Sequence, residues 1–146
     1  MEKIQLTTAE MEILIAIAMI MEFENENFGN IPQGGVGEVI ISNNLMEPDI
    51  YERVADSLYH LGLTNDEDFL TEAGRNYIEQ FKKDAENIEK GRNVVCVNDY
   101  SNVNFERIKV WLNEIPWDKV FDNAQKILTA VNALVNVVNT VNQAFH

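Results

Sequence analysis

The chain has 146 residues, 46% of them hydrophobic, enough to bury one good core with an appendage rather than two full domains. Its one cysteine, Cys96, excludes an intramolecular disulfide framework, and two histidines leave little raw material for a metal centre or catalytic triad. The net charge of -13 is unevenly spread: residues 1–90 carry six Lys or Arg against 19 Asp or Glu, whereas residues 91–146 carry five of each sign.

In chain order, Leu6-Thr7-Thr8-Ala9-Glu10 opens a helix, because Thr7 can cap the first turn and Glu10, three residues on, can reach back to it. Residues 11–21 are nearly all apolar, and their Ala and Met content and length predict a buried helix. Lys3 stands beside Glu2 without a basic n-region, so a cleaved signal peptide is not expected. No apolar run reaches the roughly 18 residues of a membrane span. With the lone cysteine, this favours a reducing, cytoplasmic setting.

Residues 23–37 read as a long connection. Its Gly34-Gly35-Val36-Gly37 lacks the Gly-Lys-Ser/Thr ending of a phosphate loop, and Pro32 and the glycines serve to turn the chain. Residues 38–45 read equally as a short helix or a strand. Glu47-Pro48-Asp49 then starts a helix, since Pro is tolerated in a first turn and acids suit the positive end of its dipole. Ile50, Val54, Leu58 and Leu61 are expected to form its buried stripe, leaving Asp49, Glu52, Arg53, Asp56, Ser57, Tyr59 and His60 exposed.

Gly62 suits the left-handed residue that ends a helix. After it, Asn65-Asp66-Glu67-Asp68 makes an acidic turn, Phe69-Leu70 a returning strand, and Thr71 caps a further helix. Gly74, inside that helix's first turn, implies a close backbone approach to a sheet or to the first helix. A calcium site on Asn65, Asp66 and Asp68 lacks the alternation and terminal Glu of an EF-hand. Tyr77, Ile78, Phe81, Ala85 and Ile88 continue an apolar stripe as far as Gly91.

The run from Ser57-Leu58 through Leu61-Gly62-Leu63 to Leu70-Thr71, Gly74-Arg75 and Tyr77-Ile78 resembles winged-helix domains, which often read SLxxLGLI followed by LTxxGRxYI at this place. The resemblance covers about residues 6–81, and PadR- and MarR-like regulators are similar in plan. It implies a mainly α fold with a small β wing (α+β), a winged-helix-like N-terminal domain and a C-terminal helical extension. It also implies a DNA-reading helix and wing, with Arg75 near the wing and so within reach of Asp66 or Asp68. Here, however, Asp49, Glu52 and Asp56 share that helix face with Arg53 and His60, and the wing tip carries Asp66, Glu67 and Asp68. Like charge facing phosphate opposes docking.

Val94-Val95-Cys96-Val97 reads as a short added strand with Cys96 as a small buried hydrophobe, since a nucleophilic role needs a histidine base. Phe105, Ile108, Trp111 and Leu112 share one face of a helix that Pro116 ends. From 117 to 145 runs the longest clean amphipathic pattern, with rows formed by Trp117, Phe121, Ala124, Leu128, Val131, Leu134, Val138, Val141 and Phe145. Its polar side is Asn-rich rather than basic, which suits a dimerisation helix better than a membrane-surface one.

These features predict an acidic winged-helix-like domain over 1–90 and a dimerising extension over 91–146. They predict a non-enzymatic interaction or regulatory protein without cofactor or metal. Its acidic surface of Asp49, Glu52, Arg53, Asp56, His60, Asp66, Glu67 and Asp68 would bind a basic protein partner, as a nucleic-acid mimic, adaptor or inhibitor. A winged-helix DNA-binding regulator is the alternative.

Overall fold

Helix-forming signals dominate the chain, and the computed structural model, which describes residues 4–27, 35–42, 44, 46–91, 98–115 and 124–145, is helical throughout. Its helices are α1 (Thr8–Asn27), α2 (Gly35–Ser42), α3 (Pro48–His60), α4 (Glu72–Glu89), α5 (Phe105–Glu114) and α6 (Ala124–Phe145). Among the described residues there is no β-strand, so the expected α+β fold with a β wing is corrected to an all-α fold. In place of the wing, residues 64–70 form a turn closed by one antiparallel bridge, Thr64 to Leu70. A ladder needs repeated pairing, and the chain enters α4 at Glu72 before a second pair can form. Pro32, Gly34, the segment 94–97 with Cys96, Trp117 and Phe121 lie outside the described residues.

The chain divides into two compact units, Ala9–Ile78 and Met1–Thr8 with Glu79–His146. In the first, residues 10–19 of α1 are buried nearly all round, with Met11, Ile13, Leu14, Ile15, Ala16, Ile17 and Met19 in the core. Glu10 is also buried, and its carboxylate accepts the Ser57 hydroxyl of α3 at 2.6 Å. The ambiguous stretch after residue 37 is helical: α2 packs against α3, and tertiary contact there outweighs the weak helix propensity of its β-branched residues.

On α3 the buried residues are Tyr51, Val54, Ala55 and Leu58, spaced as one helix face requires. Ile50 and Leu61, expected in the core, are 40% and 44% exposed, so the buried face is rotated from the expected stripe toward Tyr51 and Ala55. Steps of four residues drift around a helix, whereas alternating steps of three and four stay on one side.

At the end of α3, Gly62 has φ +79, the Leu63 N–H reaches the Leu58 carbonyl at 3.1 Å, and the Gly62 N–H reaches that of Tyr59 at 3.0 Å. This is a Schellman cap, with buried Leu58 and Leu63 as its apolar pair. Thr71 caps α4 as expected: its hydroxyl accepts the Gly74 N–H at 3.1 Å and donates to the Gly62 carbonyl at 2.6 Å. A Cβ on Gly74 would lie 2.1 Å from the Leu63 carbonyl oxygen. The close approach that Gly74 implied is therefore to the chain leaving α3, not to a sheet or to α1.

In the second unit, Asn104 caps α5 by accepting the Arg107 N–H at 3.1 Å, while its own N–H donates to the Thr8 hydroxyl at 2.9 Å. Phe105, Ile108 and Leu112 are buried as their spacing predicts, with Trp111 half-buried. Phe81, Tyr100 and Phe105 form a ring cluster with centroids 5.6–5.9 Å apart. Beside it Asp84, 1% exposed, accepts the Tyr100 hydroxyl at 2.7 Å and the Gln80 amide at 2.8 Å. Helix α6 packs along α5 and contributes Val131, Val138 and Val141 to the core.

Candidate functional site

A concave surface of the Ala9–Ile78 unit is built by α3 and the turn that follows it. The turn is shaped from inside. Asn65 accepts the N–H groups of Glu67 and Phe69 through Oδ1 at 2.9 and 3.0 Å, and the Asp68 N–H returns to the Asn65 carbonyl at 3.1 Å. Asn before a run of acids is a turn-forming choice, since its side chain mimics a backbone acceptor.

Asp68 adopts φ +62, a left-handed conformation that a non-glycine residue enters at a cost. Its carboxylate accepts the Tyr51 hydroxyl from the first turn of α3 at 2.6 Å. Burial, then the hydrogen bond and charge of Asp68, push that hydroxyl well above the ordinary tyrosine range, so it stays a donor. Gly37 of α2 leaves the room Tyr51 needs, because a Cβ there would come within 2.9 Å of the tyrosine oxygen.

Between α3 and the turn lies an open groove of about 340 Å³, lined by Tyr51, Glu52, Ala55, Asp56, Tyr59, Asn65, Asp66 and Asp68. Four of the residues singled out from sequence, Glu52, Asp56, Asp66 and Asp68, are thus brought together. Asp49, Arg53, His60 and Glu67 do not line it. Asp49 and Arg53 are exposed elsewhere on α3, and Glu67 is exposed on the turn. His60 Nε2 stands 3.4 Å from Asp56 Oδ2, both side chains 71% exposed, and the His60 ring meets Tyr59 edge-on at 5.8 Å.

Among the described residues, Glu52 and Asp66 have no hydrogen-bond or ion-pair partner, and no ion pair joins Arg75 to Asp66 or Asp68. Asp68 spends its carboxylate on Tyr51 instead. Nor is any group of three or more His, Cys, Asp or Glu among the described residues placed to hold a metal ion.

Tyr51, Ala55 and Gly37 are the participants that sequence reasoning passed over. The sequence shows Tyr59 only as exposed, and Asn65 only as part of the turn and as a calcium candidate. A usable signal was present in Tyr51, because a tyrosine at a buried helix position needs an acceptor for its hydroxyl.

The residues assigned to dimerisation fall differently. Trp117 and Phe121 lie outside the described residues; Ala124, Leu128 and Phe145 belong to α6 without a described side chain. Val131, Val138 and Val141 are buried within the chain, and Leu134 is half-buried. A second opening in this unit, lined by Ser101, Asn102, Val103, Asn104, Glu106 and Asn142, carries one carboxylate, and Asn142 donates to it at 3.3 Å.

No helix among the described residues is long and apolar enough to cross a membrane. Compared with known proteins, the chain matches no family model, no curated protein and no solved structure.

Proposed function

We propose that this chain is a non-catalytic interaction protein whose acidic surface, centred on the groove between α3 and the turn at 64–70, binds a basic protein partner. The observation that carries this reading is the gathering of Glu52, Asp56, Asp66 and Asp68 around one opening, with Glu52 and Asp66 unpartnered among the described residues. Charge of this sign steers a basic partner toward the surface and repels phosphate, which suits an adaptor, an inhibitor or a nucleic-acid mimic rather than a DNA reader. A reducing, cytoplasmic setting accords with the lone Cys96. Self-association through α6 would have to use what the fold leaves partly open, notably Leu134, since three of its valines are already buried.

Calorimetric titration with a basic peptide tests the reading. Binding should weaken steeply as salt rises, and the double variant Glu52→Lys, Asp66→Lys should lose about tenfold or more in affinity. Tight, salt-sensitive binding to duplex DNA in a mobility-shift assay would replace this function with that of a DNA-binding regulator.

A further inference from the structure

We propose that the groove seats an arginine side chain of the basic partner, with the aliphatic stem on its apolar floor and the guanidinium at its carboxylate rim beside Tyr59. This deepens the reading above and rests on it.

The lining explains the choice. Most of the groove surface is apolar, and its lining sets Tyr51, Ala55 and Tyr59 beside the carboxylates of Glu52, Asp56, Asp66 and Asp68. An apolar floor under an acidic rim is complementary to a side chain with an apolar stem and a cationic head. At about 340 Å³ and open to solvent, the groove lies at the small end of ligand sites, a size for one long side chain rather than a helix.

Arginine fits better than lysine for two reasons. Its planar guanidinium stacks on aromatic rings and is weakly hydrated, and Tyr59 offers a ring that is 48% exposed. Its fork of donors can also serve two carboxylates at once, and Glu52 and Asp66 both stand without a partner among the described residues. A compact ammonium would use the charge but neither the ring face nor the fork.

The wall is held ready before binding. Tyr51 fixes Asp68 at 2.6 Å, and Asn65 closes the turn that carries Asp66, so little ordering is needed when a cation arrives.

The test titrates the full chain with an acetylated arginine–glycine repeat peptide and its lysine–glycine counterpart at the same salt. The arginine peptide should bind roughly tenfold more tightly. Tyr59→Ala, at an exposed position outside the core, should abolish that preference, while Tyr59→Phe should keep it. Glu114→Gln, at an exposed position of α5 that is no part of the acidic surface, should leave the ratio unchanged. Equal binding of the two peptides, or an unchanged ratio in Tyr59→Ala, overturns the arginine seat while leaving the basic-partner reading in place. No binding of either peptide at low salt overturns both.

Discussion

Tyr51 has two roles that its position in the sequence does not separate: its ring is part of the α3 core face, and its hydroxyl tethers Asp68 of the turn. Removing the hydroxyl in Tyr51→Phe should cost about 1–2 kcal/mol, the usual worth of a hydrogen bond to a charged group that stays partly solvated. It should also loosen the turn, which hydrogen exchange at Phe69 and Leu70 would report. The sign of the pH effect follows from the raised value in the fold. The hydroxyl contributes its stability in full below the ordinary tyrosine value near 10, and loses it as pH climbs above that toward the folded value. The stability gap between wild type and Tyr51→Phe in urea melts should therefore be constant at neutral pH and shrink in alkali. A gap that widened above that value would show that Asp68 does not depend on this donor.

Gly74 is a second residue whose role is set by one neighbour. In an exposed helix, Gly→Ala is worth about 1 kcal/mol of stability. Here the new Cβ would meet the Leu63 carbonyl at 2.1 Å, and backbone atoms cannot swing aside as a side-chain tip can. Gly74→Ala should destabilise by about 2–3 kcal/mol in thermal or urea melts, against the propensity trend. A stabilised variant would mean that α3 and α4 do not pack this closely.

At the scale of elements, caps were legible and faces only partly so. Gly62, Thr71 and Gly91 each mark a helix boundary where they were expected, because capping is chemistry among near neighbours. On α3, Val54 and Leu58 are buried as expected, but Tyr51 and Ala55 take the places read for Ile50 and Leu61, because a tyrosine counts as apolar only once Asp68 is there to take its hydroxyl. Helix α6 shows the same dependence. Its valines form a stripe in sequence, but whether α5 or a second copy covers that stripe is not a property of the helix, and in the fold α5 does. Val138, fully buried, should therefore tolerate no charge: Val138→Asp is expected to cost about 3–5 kcal/mol and unfold its surroundings. Circular dichroism with sedimentation distinguishes the cases. A folded monomer produced from a dimer would instead place this residue at a subunit interface.

For the whole molecule, charge is the property read most directly from composition. The -13 excess falls on residues 1–90, and the groove falls within that stretch. Mean surface charge alone would attract any cation weakly. The same carboxylates around an apolar floor can also discriminate among cations, so affinity and selectivity should respond differently to substitution: charge variants should alter the salt dependence, and Tyr59 variants the choice of side chain.

The largely helical character of the chain, its buried first helix, the helix ends marked by Gly62, Thr71 and Gly91 and its acidic half followed from local rules of periodicity, capping and composition, whereas residues 23–27 and 35–37, read as a connection, are helical. The tertiary structure decided what those rules leave open: that residues 64–70 close as a turn rather than pair as strands, that Asp84 is buried under Tyr100, that α5 covers the valines of α6, and that four carboxylates share one groove. The physical reason is common to all four. A helix start or stop depends on atoms within a turn of it, whereas the fate of a hydroxyl, a carboxylate or an apolar stripe depends on which distant segment arrives to satisfy or cover it.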